Sequence, residues 1–139
     1  MKNSSFIVAV VLFAISASYG QKNIPNDVKS AFAKKYPTVT KVKWEKENDD
    51  YEVGFKVNKI DNSILLDAKG NILETEVAID KATLSKEILD YVSKKYAGKK
   101  IKGAAKINST KDGVIYEVET DGKDVLFSEN GKFIRESKN

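Results

Sequence analysis

The sequence predicts an α+β protein in which a helix packed on an antiparallel sheet of about four strands occurs twice in tandem. Three observations predict it. Two helical stretches share one apolar spacing, with Val28, Ala31, Phe32 and Tyr36 matched by Ile88, Tyr91, Val92 and Tyr96, each pair 60 positions apart. Each stretch is followed by short runs of period two separated by Gly-containing turns. The composition is that of a folded domain, with 41% hydrophobic residues in 139, enough for one domain or two very small ones packed together.

The elements follow in chain order. Residues 1–20 run from Lys2 through an apolar stretch at 6–15 to small and polar residues, the order of a secretory signal peptide. Ser18 and Gly20 are small enough for a signal peptidase, which places the cut between Gly20 and Gln21. The run breaks at Ser16, short of the roughly 20 apolar residues of a spanning helix, so cleavage rather than a retained anchor is expected. No stable membrane insertion follows from the remainder. Removing Lys2 leaves 23 basic against 20 acidic residues, a nearly balanced chain.

The first repeat is assigned to 21–78. Spacings of three, four and four put Val28, Ala31, Phe32 and Tyr36 on one helix face. Pro25 suits the helix start, where a missing N–H costs nothing, and Pro37 ends the helix by excluding its predecessor from helical geometry. Val42 and Trp44 oppose Lys43 and Glu45 across a strand. Tyr51, Val53, Phe55 and Val57 alternate with Glu52, Gly54, Lys56 and Asn58. Ile64-Leu65-Leu66 and Ile72-Leu73 flank the hairpin turn Asp67-Ala68-Lys69-Gly70-Asn71.

The second repeat, 79–139, runs in the same order. Gly98 stops its helix. Ile101, Ala105 and Ile107 mark a strand, Asp112-Gly113 a turn, and Val114, Tyr116 and Val118 alternate with Ile115, Glu117 and Glu119. Asp121-Gly122, Val125-Leu126-Phe127, the turn Ser128-Glu129-Asn130-Gly131-Lys132 and Phe133-Ile134 complete it. A single repeat of roughly 55 residues is marginal alone, so the two are expected to share a core or a continuous sheet. The joint near 78–83 lacks Gly and Pro and is no flexible linker.

These same residues resemble a known family. The export signal, Ile24-Pro25, Val28, Ala31-Phe32, Lys35-Tyr36-Pro37, Trp44-Glu45, Tyr51-Glu52-Val53, Phe55 and Asp67-Ala68-Lys69-Gly70-Asn71-Ile72-Leu73, echoed by Tyr116-Glu117-Val118 and Asn130-Gly131-Lys132, resemble the PepSY-like family, also described as beta-lactamase-inhibitor-protein-like (BLIP-like). The resemblance spans the mature chain. It implies a tandem helix-on-sheet fold, a periplasmic or secreted location and, through the family's name, inhibition or modulation of an envelope or secreted enzyme. It supplies no catalytic residue set. The chain departs from the pattern at Ser85, which stands in the proline position, and at Ser128-Glu129, which replaces an acidic-Ala pair.

Composition excludes several chemistries. Without Cys there is no disulfide, thiol nucleophile or thiolate zinc site, and without His no Ser-His-Asp triad and no imidazole ligand. The acids Asp49, Asp50, Asp61, Asp67, Asp112, Asp121 and Asp124 read as loop and turn residues, because none stands in the alternating run around a Gly that a calcium loop uses. Lys34-Lys35, Lys94-Lys95 and Lys99-Lys100 read as solvated faces and not as a nucleic-acid surface, since Arg135 is the sole Arg. Glu74 with Glu76, and Glu117 with Glu119, lie two apart on strands and read as solvated pairs. Trp44, Tyr51, Tyr91, Tyr96 and Tyr116 read as core.

The expected function is therefore that of an exported non-enzymatic binding protein, with no cofactor and no metal, whose partner is a protein or peptide of the cell envelope. Helices cover one sheet face, and the open face presents Lys43, Glu45, Glu52, Lys56, Glu117 and Glu119 as a mixed-charge partner surface. Two alternatives stand beside this. One is a periplasmic ligand- or calcium-responsive sensor binding in the seam between the repeats. The other is a protein that self-associates through free strand edges.

Overall fold

The computed structural model describes residues 23–138, so the expected export signal at 1–20 lies outside the described residues. Helix α1 (Asn26–Lys35) begins directly after Pro25 and ends at Tyr36. It buries Val28 and Phe32, the two positions a helical stripe places deepest. Phe32 meets Trp44 and Phe55 edge-on, with ring centroids 5.8 and 5.0 Å apart, and stacks on Tyr36. Helix α2 (Lys86–Lys95) buries Ile88 and Val92 in the same way. Ser85 caps it, its Oγ accepting from the Ile88 N–H at 3.4 Å. At α1 the cap position is held by Pro25, one residue before the first helical position expected for it, and no side chain caps that helix. The lysine pairs Lys34-Lys35 and Lys94-Lys95 sit in the last helical turns, where the helix dipole favours cations.

Strands β1 (Val42–Glu47), β2 (Asp50–Val57), β3 (Ile60–Leu66) and β4 (Ile72–Ile79) follow α1, and β5 (Gly103–Ser109), β6 (Gly113–Thr120), β7 (Lys123–Ser128) and β8 (Phe133–Ser137) follow α2. They do not form a four-stranded sheet per repeat. All eight make one antiparallel sheet in simple chain order. The junction is β4 against β5, from Glu74 opposite Ser109 to Ile79 opposite Ala104. Pairing there removes two strand edges that separate sheets would leave with unbonded backbone groups. The core is not shared to the same degree. One apolar cluster joins α1 to Trp44, Val53, Phe55, Ile64 and Leu66, and a second joins α2 to Ala104, Val118, Val125 and Phe127. Trp44 and Tyr51 are buried in the first cluster, and Tyr91, Tyr96 and Tyr116 pack against the second.

Two glycines hold the helices to the sheet. Gly70, in the β3–β4 turn, has φ +85°, and a Cβ there would stand 2.8 Å from the Asp27 carbonyl oxygen of α1. Gly131, in the β7–β8 turn, has φ +78°, and its Cβ would stand 2.9 Å from Glu87 Cβ of α2. Each turn therefore presses its backbone onto the first turn of its helix, a close approach only Gly permits. The Asp67 carboxylate is used within its turn, accepting from Lys69 N, Asn71 N and Asn71 Nδ2. Asp61 and Asp124, expected in turns, stand within β3 and β7, and Asp50 opens β2.

Candidate functional site

Strand alternation divides the sheet residues between two faces. Val53, Phe55, Ile64, Leu66, Val118, Val125 and Phe127 face the helices. Their neighbours face away, and the register aligns them: Glu45 opposite Glu52, Leu65 opposite Glu74, Ala105 opposite Glu117, and Glu119 opposite Asp124. The expected partner residues Lys43, Glu45, Glu52, Lys56, Glu117 and Glu119 all fall on this helix-free face. The expectation that they are solvated does not hold for three of them. Glu52 is 7% exposed, Glu117 0% and Glu119 4%. Glu74 and Asp124 are buried beside them.

Curvature explains this. Glu52 on β2 and Glu117 on β6 are four strand spacings apart, roughly 19 Å on a flat sheet at about 4.8 Å per strand. Burial is the first cause that raises Glu76 and Glu117, with the charges of neighbouring carboxylates adding to it. Glu117 stands on the face without a helix and is nonetheless 0% exposed, so this face curves around it. Its apolar floor is Ile107, Ile115 and Leu126, a buried cluster separate from the two helix-facing cores. The open mixed-charge plane is thus an acidic hollow.

Its two lysines are locally spent. Lys43 pairs with Glu45 at 2.6 Å and Lys56 with Asp61 at 2.6 Å. Glu52, Glu74, Glu76, Glu117 and Glu119 are held above their ordinary range. Burial pushes Glu52 up to about 7, opposed by a hydrogen bond with Ser63 and reinforced by Glu47, Glu45 and Glu74. Burial also raises Glu76, assisted by Glu52, Glu74 and Asp124. Glu117 is raised for the same reasons, burial first and then Glu76, Asp124, Glu119 and Glu52. Both of its carboxyl oxygens are buried without a hydrogen-bond partner. At the β1–β2 rim, carboxylate oxygens of Glu45, Glu47 and Glu52 lie within 4.8 Å of one another.

Glu74 with Glu76 and Glu117 with Glu119 were legible on common faces in the sequence, but the burial of Glu52, Glu74, Glu117, Glu119 and Asp124 was not. The available signal was the recurrence of acids at outward positions of β1, β2, β4 and β6. A carboxylic acid kept neutral near pH 7 can donate a proton only to a group that reaches it, and Glu117 is sealed from water.

The helix-backed antiparallel sheet is an α+β fold of the BLIP-like and PepSY-like kind. The chain matches the family described as putative beta-lactamase-inhibitor-like, PepSY-like, over residues 15–74 and 55–135, and it belongs to that family. Among curated proteins, none matches its sequence. Crystal structures share the fold. A "putative periplasmic" protein of Bacteroides eggerthii superposes with a TM-score of 0.71 at 14% identity, over 87% of this chain and 90% of its own. A DUF2874 family protein of Bacteroides uniformis gives 0.69 at 21% identity, over 82% and 88%. A BLIP-like protein of Bacteroides fragilis gives 0.61 at 23% identity, over 82% and 86%. Among the described residues no helix is long and apolar enough to cross a membrane.

Proposed function

We propose that this chain is an exported, non-enzymatic binding protein of the periplasm or cell exterior that engages a cationic segment of a protein or peptide through its concave acidic face. The observation that carries the reading is the collection of carboxylates from β1, β2, β4, β6 and β7 on the one sheet face without a helix. Lys43 and Lys56 are tied to neighbouring acids, and the reachable charge of this face is the half-exposed Glu45 and Glu47 on β1, which attract and orient a partner of the opposite sign. The partner surface is accordingly acidic, with half-exposed Glu45 and Glu47 as its reachable rim. Family membership supports a finer reading, in which the partner is an envelope or secreted enzyme that the protein inhibits or modulates.

The test is capture of partners from periplasmic extract at low and high salt. Wild type is compared with Glu45→Gln/Glu47→Gln and with a helix-surface variant, Lys34→Gln. Capture that is salt-sensitive, lost in the rim variant and kept in the helix variant is expected. A partner retained in full by the rim variant overturns the assignment of the face.

A further inference from the structure

The edge strand β1 carries a charge pattern that is its own complement. It closes one end of the sheet and has β2 as its single neighbour strand among the described residues. In an antiparallel ladder alternate residues bond one neighbour, and those between them turn their N–H and C=O groups the other way. The outer side of β1 therefore offers a row of open backbone groups. Around Trp44 the segment reads Lys41-Val42-Lys43-Trp44-Glu45-Lys46-Glu47. Trp44 is buried on the helix side, edge-on to Phe32. Alternation puts Lys43, Glu45 and Glu47 on the helix-free side, and Lys41, directly before the strand, continues that row. Two basic residues thus precede Trp44 on this side and two acidic ones follow it. We propose that β1 is a docking edge for β1 of a second copy of this chain, the two strands pairing antiparallel about a two-fold axis at Trp44 into one continuous sheet.

Charge complementarity selects the occupant and the register. A two-fold axis at Trp44 sets Lys43 opposite Glu45 and Lys41 opposite Glu47, each twice, so every facing pair on the helix-free side is of opposite sign. A slip by two residues sets Glu45 against Glu45 or Lys43 against Lys43, and a slip by one sets the buried Trp44 opposite a charge of the other face. Carboxylate oxygens of Glu45, Glu47 and Glu52 lie within 4.8 Å of one another at this edge. Within one copy Lys43 answers them, 2.6 Å from Glu45, and a second copy brings its own Lys41 and Lys43 to the same acids. The far edge is a poorer dock. Strand β8 has five residues, its register with β7 shifts between Leu126 and Phe127, and self-pairing about Arg135 sets like charges together. Strand β1 has six residues in unbroken register with β2 and contains neither Gly nor Pro. The pairing has a precedent inside the chain, where β4 meets β5 antiparallel and joins the two halves. A two-fold contact closes at two copies, whereas β1 against β8 runs on into open chains. The inference shares Glu45 and Glu47 with the partner-binding reading and does not rest on it.

The experiment reads the mass of the purified protein by sedimentation velocity over a range of concentrations at low salt. Wild type is expected to move from the mass of one chain to twice that value as concentration rises, and high salt should push the transition to higher concentration. Lys41→Glu/Lys43→Glu makes this side of the strand wholly acidic, and Glu45→Lys/Glu47→Lys makes it wholly basic. Each alone should raise the dimer Kd by about a hundredfold, and an equimolar mixture of the two should return to twice the single mass. Ile134→Lys, at a position 44% exposed on β8, should leave the dimer unchanged. Circular dichroism reports whether each variant folds. If either double variant does not, Lys43→Glu should be monomeric and the charge swap Lys43→Glu/Glu45→Lys dimeric. A wild type that keeps the single mass at every concentration overturns the proposal, as does a dimer that survives in both double variants or a mixture that stays monomeric. Masses beyond two copies, or loss of the dimer in Ile134→Lys, overturn it in favour of pairing through β8. Partner capture from extract is a separate readout, so its failure leaves these outcomes unchanged.

Discussion

Raising the pH from 5 to 8 in metal-free buffer is expected to weaken this protein, and Glu52 allows the size to be worked out. Its ordinary value of 4.5 applies in the unfolded chain, while burial in the hollow pushes the folded value to about 7. Between these values the folded state binds the proton more tightly, so stability falls as pH rises. The contribution is fully present below pH 4.5 and gone above about pH 7. At about 1.36 kcal/mol per pH unit, the loss from this one residue is about 3 kcal/mol. Glu76 and Glu117 are raised as well and act in the same direction. The carboxylates held low, Asp67, Glu87, Asp90, Asp121 and Glu136, have their effect at more acidic pH and leave this window clear. Urea unfolding at pH 5.0, 6.5 and 8.0 reads the effect. With an m-value of about 1–3 kcal/mol/M, the midpoint should drop by roughly 1–3 M. Glu52→Gln keeps an acceptor for Ser63 and should flatten the slope by the share assigned to Glu52. A midpoint that is constant or rises from pH 5 to 8, or a Glu52→Gln variant with the wild-type slope, refutes the reasoning.

Two further outcomes follow from the fold. Gly70→Ala should destabilise by more than the roughly 1–2 kcal/mol of a left-handed Ala, because its Cβ also meets the Asp27 carbonyl. Gly98→Ala, at φ +78° with nothing within 4 Å, supplies the backbone part alone, and equal Tm losses in the two variants would show that the β3–β4 turn does not press on α1. Ser85→Ala removes the cap of α2 and should cost about 1 kcal/mol in a thermal melt. An unchanged Tm would mean that the Ser85 bond to Ile88 contributes nothing.

The helices were legible because local chemistry decides them. The three-four-four spacing from Val28 to Tyr36 and from Ile88 to Tyr96 can bury one stripe only as a helix. The strand faces were legible too, since alternation in Tyr51–Val57 and Val114–Glu119 leaves no choice of side. Gly70 and Gly131 were legible as turn residues but not as contacts, because their partners Asp27 and Glu87 lie more than 40 positions away in the chain. Asp124 was misplaced because Asp beside Asp121-Gly122 has the local signature of a turn, while pairing with Glu119 and Ser137 draws it into β7.

By itself the sequence determined an α+β chain of two alike halves, which side chains turn toward the helices, and the exclusion of thiol and imidazole chemistry. Only the tertiary structure decided that β4 joins β5 into one sheet, and that Glu52, Glu117, Glu119 and Asp124 on the face behind the helices are buried. The reason is geometric. Alternation assigns a side chain to a face residue by residue, whereas concavity accumulates from small bends and twists over eight strands. That curvature makes a row of outward-pointing acids a buried acidic hollow.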